Sequence, residues 1–470
     1  MLHAAPFAAF VTDSAVNVAI TGATGFIGRA LTAALLRRGD AVTALTRNPD
    51  TAAMPQGVAI AKYDPESPAE NAATLAGHDA VVNLAGETVD GRWNDAKKRA
   101  IFESRVAGTR NLVAALAAAR PKPRTLVSAS AIGYFGDSGD APVDEKGEPG
   151  EDFLAHVCVE WEREARQAAQ LGMRAVSVRV PLTLAQKGGA LGKLVPIFRA
   201  GVGGPMGSGR QWMPWIHIDD LVRVFLRALD DEAFHGSINA VAPDYATNHR
   251  VTQALGHALR RLALAPAPGF ALRIIVGEFA ETLLGGQLAL PGVLLDGGFS
   301  WLHPRLEEAL IDLLAPGGRR TPAVSNLASM HRIPAALPKV FAFIADPTNL
   351  TAVTPPAMRV AARECSTETM QRGTTVEYGL RIRGRPAEWR SLIDDYVEGV
   401  RFSDVQVRGP FSFWHHVHEF KADGEGTVVT DRVDYALPWA PLSDFALPEV
   451  RHDIESAFAY RRRALEDIFG

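Results

Sequence analysis

A glycine-rich turn near the start of the chain constrains the fold more than any other feature of the sequence. Residues 16–20 have the composition of a buried β-strand, and the segment TGATGFIG (21–28) follows directly and opens a helical pattern. In such a turn Gly22 permits the tight bend, Gly25 lets the backbone approach a pyrophosphate, and Gly28 lets helix and strand pack closely. The helix N-terminus supplies oriented N–H donors. The segment therefore predicts a dinucleotide site made by Gly22, Thr24, Gly25, Phe26, Ile27 and Gly28, with a glycine turn that binds no ligand as the alternative.

Short β-rich runs alternate with helical patterns from residue 16 to about residue 240. Strands are predicted at 16–20, 41–46, 80–85 and 125–128, and helices are predicted from the turn to residue 38 and over 94–119. This alternation is typical of a parallel sheet with crossover helices. The predicted fold class is α/β, with a Rossmann-type doubly wound parallel sheet.

The pattern changes at APGGRRTPAVS (315–325), a stretch of proline, glycine and charge without periodicity. Beyond it strands are predicted at 374–383, 387–396, 401–408, 413–420 and 427–436, followed by a helix from residue 448 onward. These elements favour an antiparallel sheet wrapped around one long helix. We expect an N-terminal tail (1–15), a nucleotide-binding domain (16–315), a linker (316–325) and a second domain (326–470).

Charge and composition exclude several classes of protein. The 470 residues carry 49 Lys plus Arg against 53 Asp plus Glu, a net charge of −4 with no basic excess to attract a phosphate backbone. Nucleic acid is therefore not an expected partner. The most apolar region, residues 269–302, is interrupted by charged residues, so no membrane span is predicted. The two cysteines match no metal-ligand spacing, which favours a reducing compartment, and we expect a cytoplasmic protein.

The choice of cofactor depends on the end of the second strand. NAD-preferring sites usually carry Asp or Glu there, whereas this chain has Arg47, which is suited to the 2′-phosphate of NADP(H). A solvated arginine without a ligand is the alternative. Asp64 follows the third strand, and Asn83, Leu84, Ala85 and Gly86 end the fourth. Because the carboxyl ends of parallel strands share one sheet edge, all of them are expected to line the cofactor groove.

Several motifs in sequence order resemble a known family. They are TGATGFIG, NLAGE (83–87), RVAGTRNL (105–112), SASAIGYFG (128–136), FLAHVCVEWE (153–162) and GGPMGSGRQWMPWIHIDDLV (203–222). Together they resemble the extended short-chain dehydrogenase/reductases, specifically the atypical group of epimerase-family proteins, over about residues 16–315. The resemblance implies the fold and a nicotinamide cofactor.

The resemblance also exposes a departure from the family's catalytic pattern. Typical members use a Ser or Thr, matched here by Ser130, together with a Tyr and a Lys four residues later. Where Tyr-x-x-x-Lys is expected, this chain has His156-Val157-Cys158-Val159-Glu160-Trp161-Glu162. Cys158 and Glu162 share one helical face and, with Ser130 and Tyr134, are the candidate catalytic residues, since a tuned thiol or carboxyl group can transfer a proton. The alternative is that Cys158 fills the core and Tyr134 anchors a loop.

The substrate side is assigned to a glycine-dense loop at 203–209 and the residues that follow it. Its backbone amides can receive an anion, with Arg210 closing on the anion and Trp212 stacking. The family resemblance implies that this loop faces the substrate, and Glu87 of the NLAGE motif is assigned to the same side. A simple connection with Trp212 in the core is the alternative.

Residues 326–470 resemble a second superfamily. The runs VFAFIADPTNL (340–350) and GPFSFWHHVHEF (409–420) and the final helix are similar to START-like (SRPBCC, polyketide cyclase/dehydrase-like) domains, which implies an α+β helix-grip fold around an apolar ligand. Trp389, Phe402 and Trp414 are expected to line that interior. Alternation along the strand puts His416 and His418 on one face and His415 on the other. Because no nearby cysteine or carboxylate completes a ligand set, no metal site is expected.

Three functional interpretations follow from these observations. The first is an NADP(H)-dependent oxidoreductase or epimerase with unconventional acid/base residues and a small-molecule substrate. The second is a redox or metabolite sensor that binds NADP(H) without turnover. The third is a carrier of an apolar molecule with a regulatory nucleotide domain. The sequence alone leaves open whether the protein is an enzyme.

Overall fold

A computed structural model of the chain describes residues 15–186, 188–261, 263, 265–314, 325–411, 413–437 and 444–470. The predicted N-terminal tail and the predicted linker lie, except for their last residues, outside the described residues. The chain divides into two compact units, one of residues 1–315 and one of residues 316–470.

The first unit alternates strands and helices. Its strands are β1 (Asn17–Thr21), β2 (Ala41–Thr46), β3 (Val58–Lys62), β4 (Ala80–Asn83), β5 (Thr125–Ala131), β6 (Pro142–Val143), β7 (Arg174–Val180), β8 (Leu182–Leu184), β9 (Trp215–His217), β10 (Gly236–Asn239) and β11 (Leu288–Ala289). Its helices are α1 (Phe26–Arg38), α2 (Pro68–Leu75), α3 (Asp95–Ala118), α4 (Phe153–Arg166), α5 (Gly189–Arg199), α6 (Ile218–Asp230), α7 (Asn248–Leu259), α8 (Gly269–Val276), α9 (Phe279–Leu284), α10 (Gly292–Asp296) and α11 (Leu306–Leu314).

Seven parallel strands of this unit form one sheet in the order β10-β7-β5-β4-β1-β2-β3. The order grows outward from β1 in both directions, so the sheet is doubly wound and the predicted α/β fold is confirmed. Apolar residues of the inner strands are buried between helices, as sheets covered on both faces require. Helix α1 ends at Gly39, whose φ of 94° is the left-handed cap conformation that glycine adopts without strain.

The second unit is built on antiparallel strands. They are β12 (Ser325–Ile333), β13 (Ala361–Cys365), β14 (Thr375–Ile382), β15 (Arg385–Val397), β16 (Arg401–Arg408), β17 (Phe413–Asp423) and β18 (Gly426–Ala436), with helices α12 (Leu337–Ala345) and α13 (Leu447–Phe469). The sheet order is β12-β18-β17-β16-β15-β14-β13.

One face of this antiparallel sheet packs against helices. Leu465 of α13 and Phe341 of α12 are buried against Phe402 and Phe420, and Ile454 of α13 packs against Val433. The predicted sheet with a long terminal helix on one face is therefore present. Among the described residues, no helix is both long enough and apolar enough to cross a membrane.

Candidate functional site

The turn between β1 and α1 is closed too tightly for side chains at two of its glycines. Gly22 has a φ of 69°, and a Cβ atom there would lie 2.7 Å from the carbonyl carbon of Leu84. A Cβ atom on Gly28 would lie 2.3 Å from the carbonyl oxygen of Gly22. The first contact brings β1 close to the end of β4, and the second seats α1 on the turn, as the sequence predicts.

The N-terminus of α1 is built to receive an anion. Its N-cap is Gly25, no side chain caps its first N–H groups, and its first turn contains no acidic residue. These unshared donors and the positive end of the helix dipole favour a phosphate group. Thr24 is exposed at the turn, while Phe26 is half-buried and Ile27 packs against the core of the sheet.

The side chain of Asn83 is committed to the protein interior. Its Oδ1 accepts from Thr21 Oγ1 at 2.7 Å, and its Nδ2 donates to Thr109 Oγ1 at 2.9 Å and to Ser128 Oγ at 3.2 Å. The Leu84 amide in turn donates to the Thr21 carbonyl oxygen at 3.1 Å. Asn83 thus holds the ends of β1, β4 and β5 in register beneath the groove. This role is visible only from the residues that surround Asn83 in the structure.

Arg47 and Asp64 lie at the carboxyl ends of β2 and β3, as expected. Arg47 is exposed, and no described residue makes a hydrogen bond or ion pair with it, which leaves its guanidinium open to an anionic ligand. The Asp64 carboxylate instead organises the turn into α2, where it accepts from Glu66 N at 3.1 Å and from Ser67 Oγ at 3.2 Å. Of these two residues, Arg47 is the one whose charged group has no partner in the described part of the chain.

Arg105 occupies the groove beside Ala85, Gly86 and Glu87 and was not singled out by the sequence. It donates to the Glu87 carbonyl oxygen at 2.8 Å, and a Cβ atom on Gly86 would lie 3.1 Å from its Cζ. The Glu87 carboxylate is bound by Lys97 at 2.7 Å, which holds the pKa of that carboxyl below its ordinary value. Burial lowers the pKa of Arg105, whose charge also acts on Cys158. The sequence signal that could have identified Arg105 is its place as the first residue of the RVAGTRNL motif.

Ser130 and Glu162 meet in a buried network with an arginine that the sequence did not assign to the site. Arg179 forms a two-pronged ion pair with Glu162, at 2.8 Å to Oε1 and 3.0 Å to Oε2. Ser130 donates to Oε1 at 2.7 Å, and Ser237 donates to Oε2 at 2.8 Å. With four donors, both oxygens of the carboxylate are occupied. The only sequence signal for Arg179 was a charged residue at a position of β7 whose side chain, by strand alternation, is expected to point into the interior.

Tyr134 lies next to this network. Its ring is half-buried, with the Arg179 guanidinium 3.6 Å from the ring centroid and the Phe135 ring packed edge-on. No described residue hydrogen-bonds to its hydroxyl group. Of the four candidate catalytic residues, Tyr134 therefore has the least committed polar atom.

Cys158 lies in the core, with 3% of its surface exposed. Burial, and then the neighbouring Glu162, raise the pKa of its thiol to about 12. The group is thus a thiol at neutral pH, and the thiolate form that reacts is scarce.

Arg210 and Trp212 differ in environment although they lie two residues apart. Trp212 is buried and its Nε1 donates to Asp140 Oδ1 at 2.9 Å. Arg210 is exposed, and its backbone amide donates to Ser208 Oγ at 3.2 Å. The Arg210 side chain is therefore accessible to a ligand, whereas the Trp212 ring is held in the protein interior.

The HIDD segment after this loop has a structural role. His217 Nδ1 accepts the amide of Asp219 at 3.1 Å and so caps α6. The Asp220 carboxylate accepts the backbone amides of Leu302 at 2.7 Å and His303 at 2.8 Å. These bonds fasten the chain after α10 to the start of α6.

The histidines of β17 have carboxylate neighbours that the sequence analysis failed to find. His416 and His418 share a face, as expected, but Asp404 of β16 and Asp431 of β18 lie beside them. The expectation that no carboxylate lies near these histidines was therefore wrong. The reason is register, because each carboxylate lies directly across from a histidine on a neighbouring strand.

The doubly wound sheet, the open helix N-terminus and the glycine turn define the first unit as an α/β protein with a Rossmann-type fold. The profile of the NAD dependent epimerase/dehydratase family matches residues 18–241, and that of a domain of unknown function, DUF1731, matches residues 267–313.

The relatives extend this assignment. The chloroplastic SDR39U1 homolog of Arabidopsis thaliana, an epimerase family protein, is 38% identical over 306 residues, which cover 63% of this chain and 86% of the relative. Epimerase family protein Mb2239 of Mycobacterium bovis is 40% identical over 62% of this chain and 96% of its own. The crystal structure of human SDR39U1 (isoform 2) with NADPH superposes with a TM-score of 0.59 at 36% identity, covering 64% of this chain and 99% of that one. The chain belongs to the epimerase family.

Proposed function

We propose that the first unit is an NADP(H)-dependent oxidoreductase or epimerase that acts on a small molecule without the Tyr-x-x-x-Lys pair. The observation that carries the proposal is that the uncapped N-terminus of α1 lies at the same sheet edge as Arg47, which is exposed and has no partner among the described residues. Helix N–H groups suit a pyrophosphate, and a free guanidinium at the end of β2 suits a 2′-phosphate. The human relative solved with NADPH supports the same choice.

The residues of the groove fit this cofactor. The backbone at Gly22, Thr24, Gly25 and Phe26 would hold the pyrophosphate, and Arg47 the 2′-phosphate. When bound, the cofactor supplies hydride transfer. Arg105 provides a positive charge next to Cys158 and Trp161 of α4, where it can orient the ribose or an anionic substrate.

Proton transfer in this proposal is assigned to Tyr134. Its hydroxyl has no hydrogen-bond partner among the described residues, and the Arg179 guanidinium lies 3.6 Å from its ring centroid. The Ser130 hydroxyl donates to Glu162, so its oxygen can accept a hydrogen bond from a substrate hydroxyl group and position that group. Arg210 and Glu87 are placed on the substrate side.

A turnover assay with matched variants tests the proposal. NADPH oxidation and NADP⁺ reduction are followed over carbonyl compounds, alcohols and nucleotide sugars, and epimerisation is followed by chromatography. Tyr134→Phe should lower kcat about 100-fold or more with NADPH affinity unchanged, consistent with loss of acid/base catalysis. Ser237→Ala is the control. Ser237 lies on β10 and hydrogen-bonds to the same carboxylate as Ser130, and the variant should keep its turnover. Equal loss in both variants would show that the network is only structural.

A second candidate, an NADP(H)-binding protein without turnover, is favoured by a separate observation. In the segment where Tyr-x-x-x-Lys is expected, the two candidate residues are Cys158, a buried thiol, and Glu162, a carboxylate whose oxygens are both hydrogen-bonded. Neither offers a free proton-transfer group. Tight NADPH binding with no reaction across the panel would favour this sensor over the enzyme.

For the second unit, we propose a START-like small-molecule module. The long helix α13 packed on an antiparallel sheet supports the helix-grip assignment. Trp389 and Trp414 meet edge-on at 5.1 Å, whereas Phe402 is buried against Phe341 and Phe420. A retained apolar molecule, sought by solvent extraction of the purified full-length protein and mass spectrometry, is the test; a fully packed interior predicts none.

A further inference from the structure

The inner face of the second sheet carries a polar cluster between two apolar ones. His416, His418 and Asp431 are buried, and Asp404 is the most accessible member at 17% side-chain exposure. The His416 ring lies against Phe458 of α13, and His418 stacks on Phe402. Buried ionisable groups in an apolar setting are costly unless they are paired or bind a metal ion.

Each histidine divides its two ring nitrogens between the two carboxylates. His416 Nε2 lies 3.2 Å from Asp431 Oδ1 and donates to it, and His418 Nδ1 lies 2.7 Å from the same oxygen, although its N–H is poorly aligned for a hydrogen bond. The other two nitrogens face Asp404, with His416 Nδ1 at 3.8 Å and His418 Nε2 at 3.9 Å from Oδ2.

The geometry leaves three possible acceptors facing one another. In each histidine ring one nitrogen faces Asp431 and the other faces Asp404 Oδ2. When the nitrogen next to Asp431 carries the proton, the other nitrogen presents its lone pair to the Asp404 carboxylate. Lone pairs and a carboxylate converging on one point require a cation or a donor between them.

The separations also fit a metal ion better than direct contact. Distances of 3.8 and 3.9 Å are too long for hydrogen bonds. Ligand atoms at about 2.0–2.1 Å from a tetrahedral Zn²⁺ are about 3.3–3.4 Å apart, so a small contraction seats the ion. One ligand atom from each of Asp404, His416 and His418 lies within 4.8 Å of the others.

The surroundings supply what metal sites of this kind need. Asp431 is placed behind both histidines, where a carboxylate fixes the tautomer and strengthens the ligand. Ser391 donates to Asp404 Oδ1 at 2.7 Å and orients the third ligand. No lysine or arginine among the described residues pairs with Asp404, so its charge is left for a cation.

A further buried histidine lies on the same sheet face. His331 of β12 is opposite Val429, two residues along β18 from Asp431, and neither of its ring nitrogens has a hydrogen-bond partner among the residues that the structure describes. It is 8% exposed. An unpartnered buried imidazole next to the cluster is a second sign that this interior accommodates a ligand.

We propose that Asp404, His416 and His418 bind a divalent transition-metal ion, with Asp431 as the carboxylate that orients both histidines. Three protein ligands leave a fourth position for water or for a polar group of a bound molecule, as in metal sites that perform chemistry. Zn²⁺ is the probe that suits two imidazoles and one carboxylate.

The test uses the full-length protein without an affinity tag. After chelation and removal of the chelator, the protein is titrated with Zn²⁺ by calorimetry, and its metal content is measured by mass spectrometry after gel filtration. One Zn²⁺ per chain is expected. Co²⁺ in its place should give visible d–d absorption bands typical of a four-coordinate site, a readout that needs no variant.

Matched variants locate the ion. His418→Gln and the conservative, partly exposed Asp404→Asn should each weaken Zn²⁺ binding at least 100-fold, and Asp431→Asn should weaken it about 10- to 100-fold. His415→Gln is the control, because His415 lies on the same strand but faces Asp394 at 3.6 Å on the opposite side of the sheet. It should bind Zn²⁺ as the unmodified protein does.

Several results would overturn the proposal. They are the absence of stoichiometric Zn²⁺ and Co²⁺ binding by the unmodified protein, unchanged affinity in folded Asp404→Asn, or an equal loss in His415→Gln. Circular dichroism of each variant verifies that it is folded. None of these outcomes tests the proposed binding of NADPH by the first unit.

Discussion

The candidate site residues of the first unit differ in whether their polar atoms are already hydrogen-bonded within the protein. Asn83, Asp64 and Trp212 were expected to face a ligand, yet their polar atoms bond to the protein. Arg47 and Arg210 are exposed and their guanidinium groups have no described partner. The proposed function therefore assigns ligand recognition to Arg47 and Arg210, whose charged groups have no partner among the described residues.

Arg47 sets the cofactor preference in the proposed function. Arg47→Ala should weaken NADPH binding about 10- to 150-fold, since a hydrogen bond to a charged group contributes about 1.5–3 kcal/mol. NADH binding should change little, because NADH lacks the 2′-phosphate. Isothermal calorimetry with both nucleotides measures the difference, and Arg37→Ala, at the far end of α1, is the control. Comparable NADH and NADPH affinities in the unmodified protein would contradict the assignment.

The two cysteines should react very differently with thiol reagents. Cys158 is buried, and its thiol has a pKa raised to about 12, whereas Cys365 is exposed. Native protein at pH 7.5 should therefore be alkylated once, at Cys365, and denatured protein twice. Intact mass spectrometry after iodoacetamide treatment counts the labels, and Cys365→Ser should abolish native labelling. Fast labelling of Cys158 would restore it as a candidate for proton transfer.

At the scale of elements, the network around Glu162 ties helix α4 to the sheet. Its carboxylate receives bonds from Ser130 of β5, Arg179 of β7 and Ser237 of β10. These three strands are neighbours in the sheet, so one buried charge pair fastens a helix to three strands. The same bonds position Ser130 and, through Arg179, the ring of Tyr134.

Removing one charge of this pair should be more harmful than removing both. Glu162→Gln leaves Arg179 buried without its counter-charge, and we expect the free energy of unfolding to fall by about 3–5 kcal/mol. The double variant Glu162→Gln/Arg179→Met should recover part of that loss. Urea denaturation followed by circular dichroism measures both. A single variant as stable as the unmodified protein would show that the pair is dispensable for folding.

The whole chain consists of two units that each bury an apolar core of their own. The first unit packs its helices on the parallel sheet, and the second packs α12 and α13 on the antiparallel sheet. Each core is formed by residues of one unit alone, which is the property of a domain that can fold separately.

Cleavage between residues 316 and 324 should therefore give two folded fragments. We expect NADPH at about 100 times its Kd to stabilise the N-terminal fragment by about 2.7 kcal/mol and to leave the unfolding of the C-terminal fragment unchanged. Differential scanning calorimetry of each fragment, with and without NADPH, tests this. Aggregation or loss of the circular dichroism signal of either fragment after the cut would show that the units depend on each other for stability.

Local rules gave the elements of this protein from its sequence. The turn at residues 21–28, the glycine cap of α1 and the alternating strands of the second unit follow from backbone sterics and side-chain periodicity, and the structure reproduces them closely. The fold of the first unit followed because a strand, a glycine turn and a helix in succession have few ways to pack.

Contacts between residues distant in sequence determined which side chains lie together in the candidate sites. Periodicity placed His416 and His418 on one face, but only the register of β16, β17 and β18 brings Asp404 and Asp431 to them. Arg179 lies 17 positions from Glu162 and pairs with it because β7 runs beneath α4. Register and helix docking depend on the packing of the whole core, a sum over many distant side chains, whereas a turn or a cap is decided by a few adjacent residues.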